Sequence, residues 1–273
     1  MTSLAATSAL TIDFDRSGIV DPVFARFAPP PAPLAVPPLS RDAREAAVRI
    51  WADRTRSEYV GVMIVRKLHG LLVDLNAPMD LQELSLQMLL DEQRHANLCS
   101  AVIEALGGNL GVTFDVPELQ QSRTSASLED QLLEMLVGTY ACGEVVAHAL
   151  VRHAIRALPK SGFRLTLQSI AKDEVLHARF GPTLLASIRA GVQGAWIDWP
   201  GDDVILARFE AQCRWMLSRD VVDDRELRLF GNLAYASELE AVGVSEPRAF
   251  KAAYVASVKR VRRDARKALT SPR

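Results

Sequence analysis

Two hexapeptides, Asp91-Glu92-Gln93-Arg94-His95-Ala96 and Asp173-Glu174-Val175-Leu176-His177-Ala178, repeat the pattern Asp-Glu-x-x-His-Ala 82 positions apart. Three residues of α-helix turn the chain by about 300°, so in each hexapeptide the Glu and the His stand on one face. A carboxylate and an imidazole that converge in this way can grip one metal ion, and two such pairs face to face can grip two. A single Glu-x-x-His is equally well explained as a surface Glu and a core His sharing a turn. The recurrence, with Asp before and Ala after each time, carries the argument.

Two further glutamates complete the pattern. Glu58 precedes Glu92 by 34 residues and Glu144 precedes Glu174 by 30, about the chain needed for a helix, a short turn and an antiparallel return. The chain then reads as two helix hairpins, each carrying Glu … Glu-x-x-His. This is the two-fold logic of a dimetal four-helix bundle.

The pattern implies an all-α fold, and composition allows a large core. The chain has 273 residues, 49% of them hydrophobic, and a net charge of −1. That charge argues against nucleic-acid binding by the chain as a whole. The most apolar stretch, Leu132 to Val151, contains Glu134, Glu144 and His148, so it reads as a buried helix with inward polar groups rather than a membrane span. The first residues lack a basic start followed by an apolar block, and three cysteines, Cys99, Cys142 and Cys213, make no disulfide framework. The expectation is a cytoplasmic protein.

In chain order, residues 1–39 read as a Pro-rich arm, 40–192 as the four-helix bundle, and 193–273 as a helical extension packed on it. Ser40 caps a helix running to about Leu75, with Glu58 set in a stripe that includes Trp51, Val62 and Val65; a salt bridge to Arg54 or Arg66 is the ordinary explanation for such a Glu. After Pro78, Asp80 and Glu83 form a capping box for a helix over 81–106, which Gly107-Gly108 ends. Residues 109–126 read as the crossover between hairpins. Ser127 opens one helix from 128 to about Leu158, and the fourth runs from about Phe163 to Arg179, with Pro182 kinking it or starting a new segment. A loop with Trp196 and Trp199 covers a pocket or anchors to the bundle. Three further helices are expected over 202–218, 223–242 and 247–268; the last has a basic face, with contact to an acidic carrier or RNA as the lesser reading. Gly138, Ala141 and Gly143 leave room for a ligand or serve close packing. His69 and His153 read as ordinary boundary residues.

The order Glu58, Glu92-x-x-His95, Glu144, Glu174-x-x-His177, with Asp91-Glu92-Gln93-Arg94-His95 as an intact Asp-Glu-x-Arg-His, resembles the ferritin-like di-iron carboxylate superfamily over residues 40–180. The resemblance implies that Glu58, Glu92 and His95 hold one metal and Glu144, Glu174 and His177 the other, with some carboxylates bridging. It implies two iron ions, with manganese as the alternative. It also implies that Asp91 orients His177 and Asp173 orients His95. The position one turn after the first His holds Cys99, as in the multicomponent monooxygenases, and not the radical-forming Tyr of the ribonucleotide reductase small subunit. The position one turn after the third Glu holds His148 where those monooxygenases have Thr. Arylamine N-oxygenases carry their extra His one turn before the fourth Glu, where this chain has Ile170. Cys99, His148 and Tyr140 are the candidate catalytic residues.

The function this implies is an O2-activating oxidoreductase that hydroxylates, N-oxygenates or desaturates a small organic substrate, free or carrier-bound. Electrons would come from an external ferredoxin or reductase, since the chain shows no flavin or nucleotide motif; a homodimer is compatible. A ferroxidase or iron-handling protein, a manganese catalase-like peroxide dismutase and a tRNA-hydroxylase relative are the rivals. The residues that follow the fourth helix exceed what a storage bundle needs.

Overall fold

Where a helix must cross the middle of a bundle, its apolar stripe has to give way to whatever polar groups the middle holds, and the helices over 41–74, 79–105 and 162–189 show that division. We describe a computed structural model covering residues 9–14, 33–109, 112–120, 126–192, 196–222 and 224–271. The fold is all-α, with one two-stranded antiparallel sheet. Helix α1 spans Arg41–Asp74 and α2 spans Met79–Ala105. Strands β1 (Ala9–Thr11) and β2 (Thr113–Asp115) pair, and short α3 (Val116–Gln120) follows β2. Next come α4 (Leu128–Met135), a π-helical stretch (Leu136–Gly143) and α5 (Glu144–Ala157). Helix α6 spans Gly162–Arg189. Helices α7 (Asp202–Ser218), α8 (Asp224–Phe230), α9 (Leu233–Ala241) and α10 (Pro247–Thr270) make the C-terminal part.

Four rods close on one another: α1 packs on α2, α2 on α6, α6 on α5 and the π stretch, and α4 on α1. Their apolar residues separate into two clusters. One takes Trp51 of α1, Cys99 and Ile103 of α2, and Phe163 and Leu167 of α6. The other takes Leu68 and Leu72 of α1, Met88 of α2, and Phe180 and Leu184 of α6. The early part of α1 shares a cluster with the late part of α2, so the pair is antiparallel. Glu58, Glu92, His95, Glu174 and His177 all fall in the sequence intervals between the clusters. The polar groups therefore sit at mid-height, sealed by apolar side chains at both ends.

The expected caps hold at Ser40, whose hydroxyl accepts from Ala43 N–H, and at Ser127, which accepts from Asp130 N–H. Gly107 ends α2 at φ +73°. The Asp80–Glu83 capping box does not form. Helix α2 starts two residues earlier, at Met79, after Pro78, whose fixed φ suits the entry, and Asp80 accepts only from its neighbour Leu81 N–H. The single helix expected over 128–158 is instead α4, a π stretch and α5. The fourth helix does not stop at Arg179 but continues through Pro182 to Arg189. The helix expected over 223–242 breaks at Gly231, between α8 and α9.

The connection after α2 holds β2, which pairs with residues 9–11 of the N-terminal stretch, and Phe114 of β2 packs on Tyr59 with ring centroids 5.6 Å apart. Most of the Pro-rich segment, including Pro29, Pro30 and Pro31, lies outside the described residues; Leu34, Val36 and Leu39 pack against the Trp51 cluster. The extension is tied to the first part of α1. Trp51 Nε1 donates to Val242 O at 2.9 Å, and Ser40 Oγ donates to Glu238 Oε2 at 2.7 Å. No described helix is long and apolar enough to cross a membrane.

Candidate metal centre

Glu58 comes from α1, Glu92 and His95 from α2, Glu144 is the first residue of α5, and Glu174 and His177 come from α6. Ligand atoms of Glu92, Glu144, Glu174 and His177 all lie within 4.8 Å of one another, and those of Glu58, Glu92 and His95 do the same. Glu92 belongs to both groups. The six residues are thus brought together at one place, on four separate helices, as an arrangement that can hold a metal ion.

The imidazoles are oriented alike. His95 Nδ1 lies 3.4 Å from Glu58 Oε2 and 3.3 Å from Glu174 Oε1. His177 Nδ1 lies 3.0 Å from Glu92 Oε1. Both rings are fully buried, and neither Nδ1 has hydrogen-bond geometry to any partner among the described residues. The ring centroids are 5.9 Å apart. On the far side of each ring, Nε2 points at the Asp of the other hexapeptide. His95 Nε2 hydrogen-bonds Asp173 Oδ2 at 3.3 Å, while His177 Nε2 lies 3.6 Å from Asp91 Oδ2, beyond hydrogen-bond length. Asp173 also pairs with Arg94. Asp91 accepts from Gln87 Nε2 at 2.9 Å.

Glu92 and Glu144, buried among other carboxylates, resist ionisation. Burial, with the Glu58 and Glu174 carboxylates nearby, pushes Glu92 up to about 7 against the pull of His177. Burial first, then Glu174 and Glu92, holds Glu144 well above the carboxylate range. Burial opposes charge on the imidazoles, but the carboxylates overcome it. Glu174 and Glu58 carry His95 up to about 9, and Asp91 and Glu92 carry His177 up to about 11. Glu174 is lowered despite its burial, because His95 and His177 face it. A cluster that holds protons this tightly is one short of positive charge.

The candidate catalytic residues are placed around this cluster. Cys99, a turn after His95, is buried in the Trp51 cluster, its thiol pushed up by burial and by Glu58. Tyr140 is buried in the π stretch, its ring edge-on to Phe180 at 5.4 Å and its hydroxyl without a partner among the described residues. His148 lies outside both ligand-atom groups. It lines a groove of about 340 Å³ with Arg152, Lys172 and Val175, and its ring is lowered by burial and by Arg152. Neither salt bridge expected for Glu58 forms: Arg54 stacks over Trp51 at 4.2 Å, and Arg66 donates to Leu119 O. His69 bonds Ser85 Oγ at 2.8 Å.

Sequence reasoning passed over two glycines. A Cβ on Gly61 would lie 2.2 Å from Glu92 Oε2, so the absence of a side chain lets the Glu92 carboxylate lie against α1. A lone Gly in a helix interior, one turn after Glu58, was the available signal. A Cβ on Gly181 would lie 2.6 Å from the backbone of Tyr140 and Ala141. The small residues Gly138 and Ala141 serve close packing in part: Gln212 of α7 donates to Gly138 O at 3.4 Å, and Ala141 meets Gly181.

The fold and site define an all-α chain with a buried carboxylate–imidazole cluster of the kind that can hold metal. Comparison with protein-family models, with curated proteins and with solved structures finds no match to this chain.

Proposed function

We propose that the chain is a ferritin-like di-iron oxidoreductase that uses O2 to hydroxylate, N-oxygenate or desaturate a small organic substrate. The observation that supports it is the set of buried atoms without partners: Nδ1 of His95, Nδ1 of His177 and Oε2 of Glu174, all aimed into one cluster of carboxylates. Nothing in the described protein satisfies them, and divalent cations would. The donor set fits the group. Carboxylate oxygens with imidazole nitrogens suit iron or manganese, and four carboxylates neutralise two divalent ions, which removes the cost of burying either charge alone.

Glu58, Glu92 and His95 would hold one ion and Glu144, Glu174 and His177 the other, with Glu92 shared. Bound iron would supply the electrons and Lewis acidity that O2 chemistry requires. The rest falls to side chains. Asp173 accepts the Nε2 proton of His95, which leaves its Nδ1 lone pair directed into the cluster, and Asp91 faces His177 in the same sense. The apolar clusters above and below keep water out, so charges in the site act at low dielectric. An external ferredoxin or reductase would return electrons.

The test is reconstitution with Fe(II) without oxygen, elemental analysis, and then exposure to O2 under optical observation. The expected result is two ions per chain and a transient visible band whose decay quickens with a substrate. No stoichiometric metal ends the proposal. A stable ferric product that accumulates far beyond two ions per chain makes it an iron-handling protein, and oxygen release from peroxide by the manganese form makes it a catalase.

A further inference from the structure

The C-terminal helices build a second feature that the metal cluster does not use. A cleft of about 910 Å³ runs between the outer half of α6 and the last turns of α10. Its floor is Ala141 and Val145, with Ile205 and Phe209 of α7; its walls are mostly apolar or small, such as Pro182 and Ala186 on one side and Val261 and Ala268 on the other, and the charged residues lining it are Arg189, paired with Asp202, Asp264, paired with Arg263, and Arg260. From Pro182 to Ala190 the wall is about 12 Å long at 1.5 Å per residue. One end is fixed shut. Arg189 pairs with Asp202 at 2.7 Å and donates to Ala268 O and Ser271 O, and Trp199 donates to the same Asp202. The volume lies within the range of small-molecule sites, which are mostly apolar with a few polar groups that fix orientation.

The charge on the wall selects the ligand. Helix α10 carries eight Lys and Arg residues against the single Asp264. Several are already engaged: Arg262 and Arg266 with Glu210, Arg263 with Asp264, and Lys251 with Asp220. Arg260 lines the cleft, is exposed, and makes no ion pair or hydrogen bond among the described residues. An apolar trough with one uncommitted guanidinium at its edge matches an amphiphile with an apolar chain and an anionic end.

We propose that this cleft binds a monomeric alkyl carboxylate, its chain along the floor between α6 and α10 and its carboxylate on Arg260. The proposal is independent of the metal centre. It gives a role to the extension, to Trp199 and to part of the basic face of α10.

The full chain is titrated with decanoate below its micelle concentration by calorimetry and by tryptophan emission, beside decan-1-ol and beside vesicles of anionic phospholipid. Decanoate is expected to bind saturably at one site, about tenfold tighter than the alcohol. Ala186→Trp, which fills the cleft from an exposed wall position, should weaken both ligands at least about tenfold at unchanged helicity. Arg260→Gln, also exposed, should bring decanoate down to the alcohol and leave the alcohol unchanged. Absence of saturable decanoate binding, binding that Ala186→Trp leaves intact, equal losses for acid and alcohol in Arg260→Gln, or association with vesicles alone would each overturn the assignment.

Discussion

The two hairpins bring the same ligand types to the cluster but hold them differently. In the first, Glu58, Glu92 and His95 ride on uninterrupted α-helices. In the second, Glu144 follows directly on eight residues of π-helix, and its N–H bonds back to Thr139 O, five residues earlier. The difference extends to the aspartates. Asp173, which serves the first hairpin's histidine, is held by a hydrogen bond and by Arg94. Asp91, which serves the second hairpin's histidine, stands 3.6 Å away and is held by a neutral amide. The near-repeat in sequence thus gives a rigid half and a more adjustable half. Widened π turns recur at functional sites.

The most severe test is whether the halves are separable at all. Glu92 belongs to both ligand-atom groups, whereas Glu58 and Glu144 each belong to one. Glu92→Ala is therefore expected to reduce bound metal to background, a loss of more than about 100-fold in affinity. Glu58→Ala and Glu144→Ala should each leave about one ion per chain. Elemental analysis after reconstitution decides this. If Glu92→Ala kept one full ion, Glu92 would not be the shared residue.

Proton occupancy gives the next largest effect. Without metal, Glu92 at about 7, His95 at about 9 and His177 at about 11 all lie above their ordinary values of 4.5, 6.5 and 6.5. Groups raised by folding stabilise the native state below their ordinary values and lose that contribution as pH rises through the raised ones. The metal-free chain should thus lose stability progressively from about pH 4.5 towards pH 11. Metal displaces those protons, so the gain in thermal midpoint on adding metal should grow with pH; at 1,000 times Kd the bound metal adds about 4 kcal/mol of stability. A gain that shrinks from pH 6 to 9 would show that the ions bind elsewhere.

Packing supplies a third contrast. Gly181→Ala drives a methyl into the backbone of Tyr140 and Ala141, where nothing can yield cheaply, and should cost about 1–3 kcal/mol of stability. Gly61→Ala meets only the end of the Glu92 side chain. It should leave the thermal midpoint of the metal-free chain nearly unchanged and lower metal occupancy, because the carboxylate must move. Equal loss of stability in both variants would remove the distinction.

How much of this the sequence disclosed follows from what each feature depends on. The six candidate metal-binding residues rest on local spacing, and the structure brings them together; the crossing of Asp91 to His177 and of Asp173 to His95 is what the family resemblance implied, and the helix spans hold for α1 and α7 but not for the stretch after Ser127 or for the end of α6. The π stretch does not announce itself, because Leu136–Gly143 is as apolar as any buried α-helix. Widening there goes with the approach of Gly181 and Gln212 from elements far along the chain. Pro182 read as a kink or the start of a new segment because the rule against interior proline is local, while α6 is held on both sides of it by packing on α5 and the π stretch. The β1–β2 pairing joins residues about 100 apart. Each half of it is three residues long, below what alternation can signal.

The smallest expected difference is between the aspartates, and it sharpens the comparison most. Each accepts from or faces a histidine Nε2, so removal of either frees a ring to rotate and lowers its basicity. Asp173 makes the shorter contact, and its loss also leaves Arg94 without its carboxylate. Asp173→Ala is therefore expected to weaken metal binding by about 10–100-fold. Asp91→Ala removes a contact already beyond hydrogen-bond length, and its effect should fall at or below about tenfold. Metal titrations of the two variants at one pH compare them directly. Equal losses would mean that the 3.6 Å separation closes to a hydrogen bond once metal is bound, and a larger loss at Asp91 would reverse which half is the rigid one.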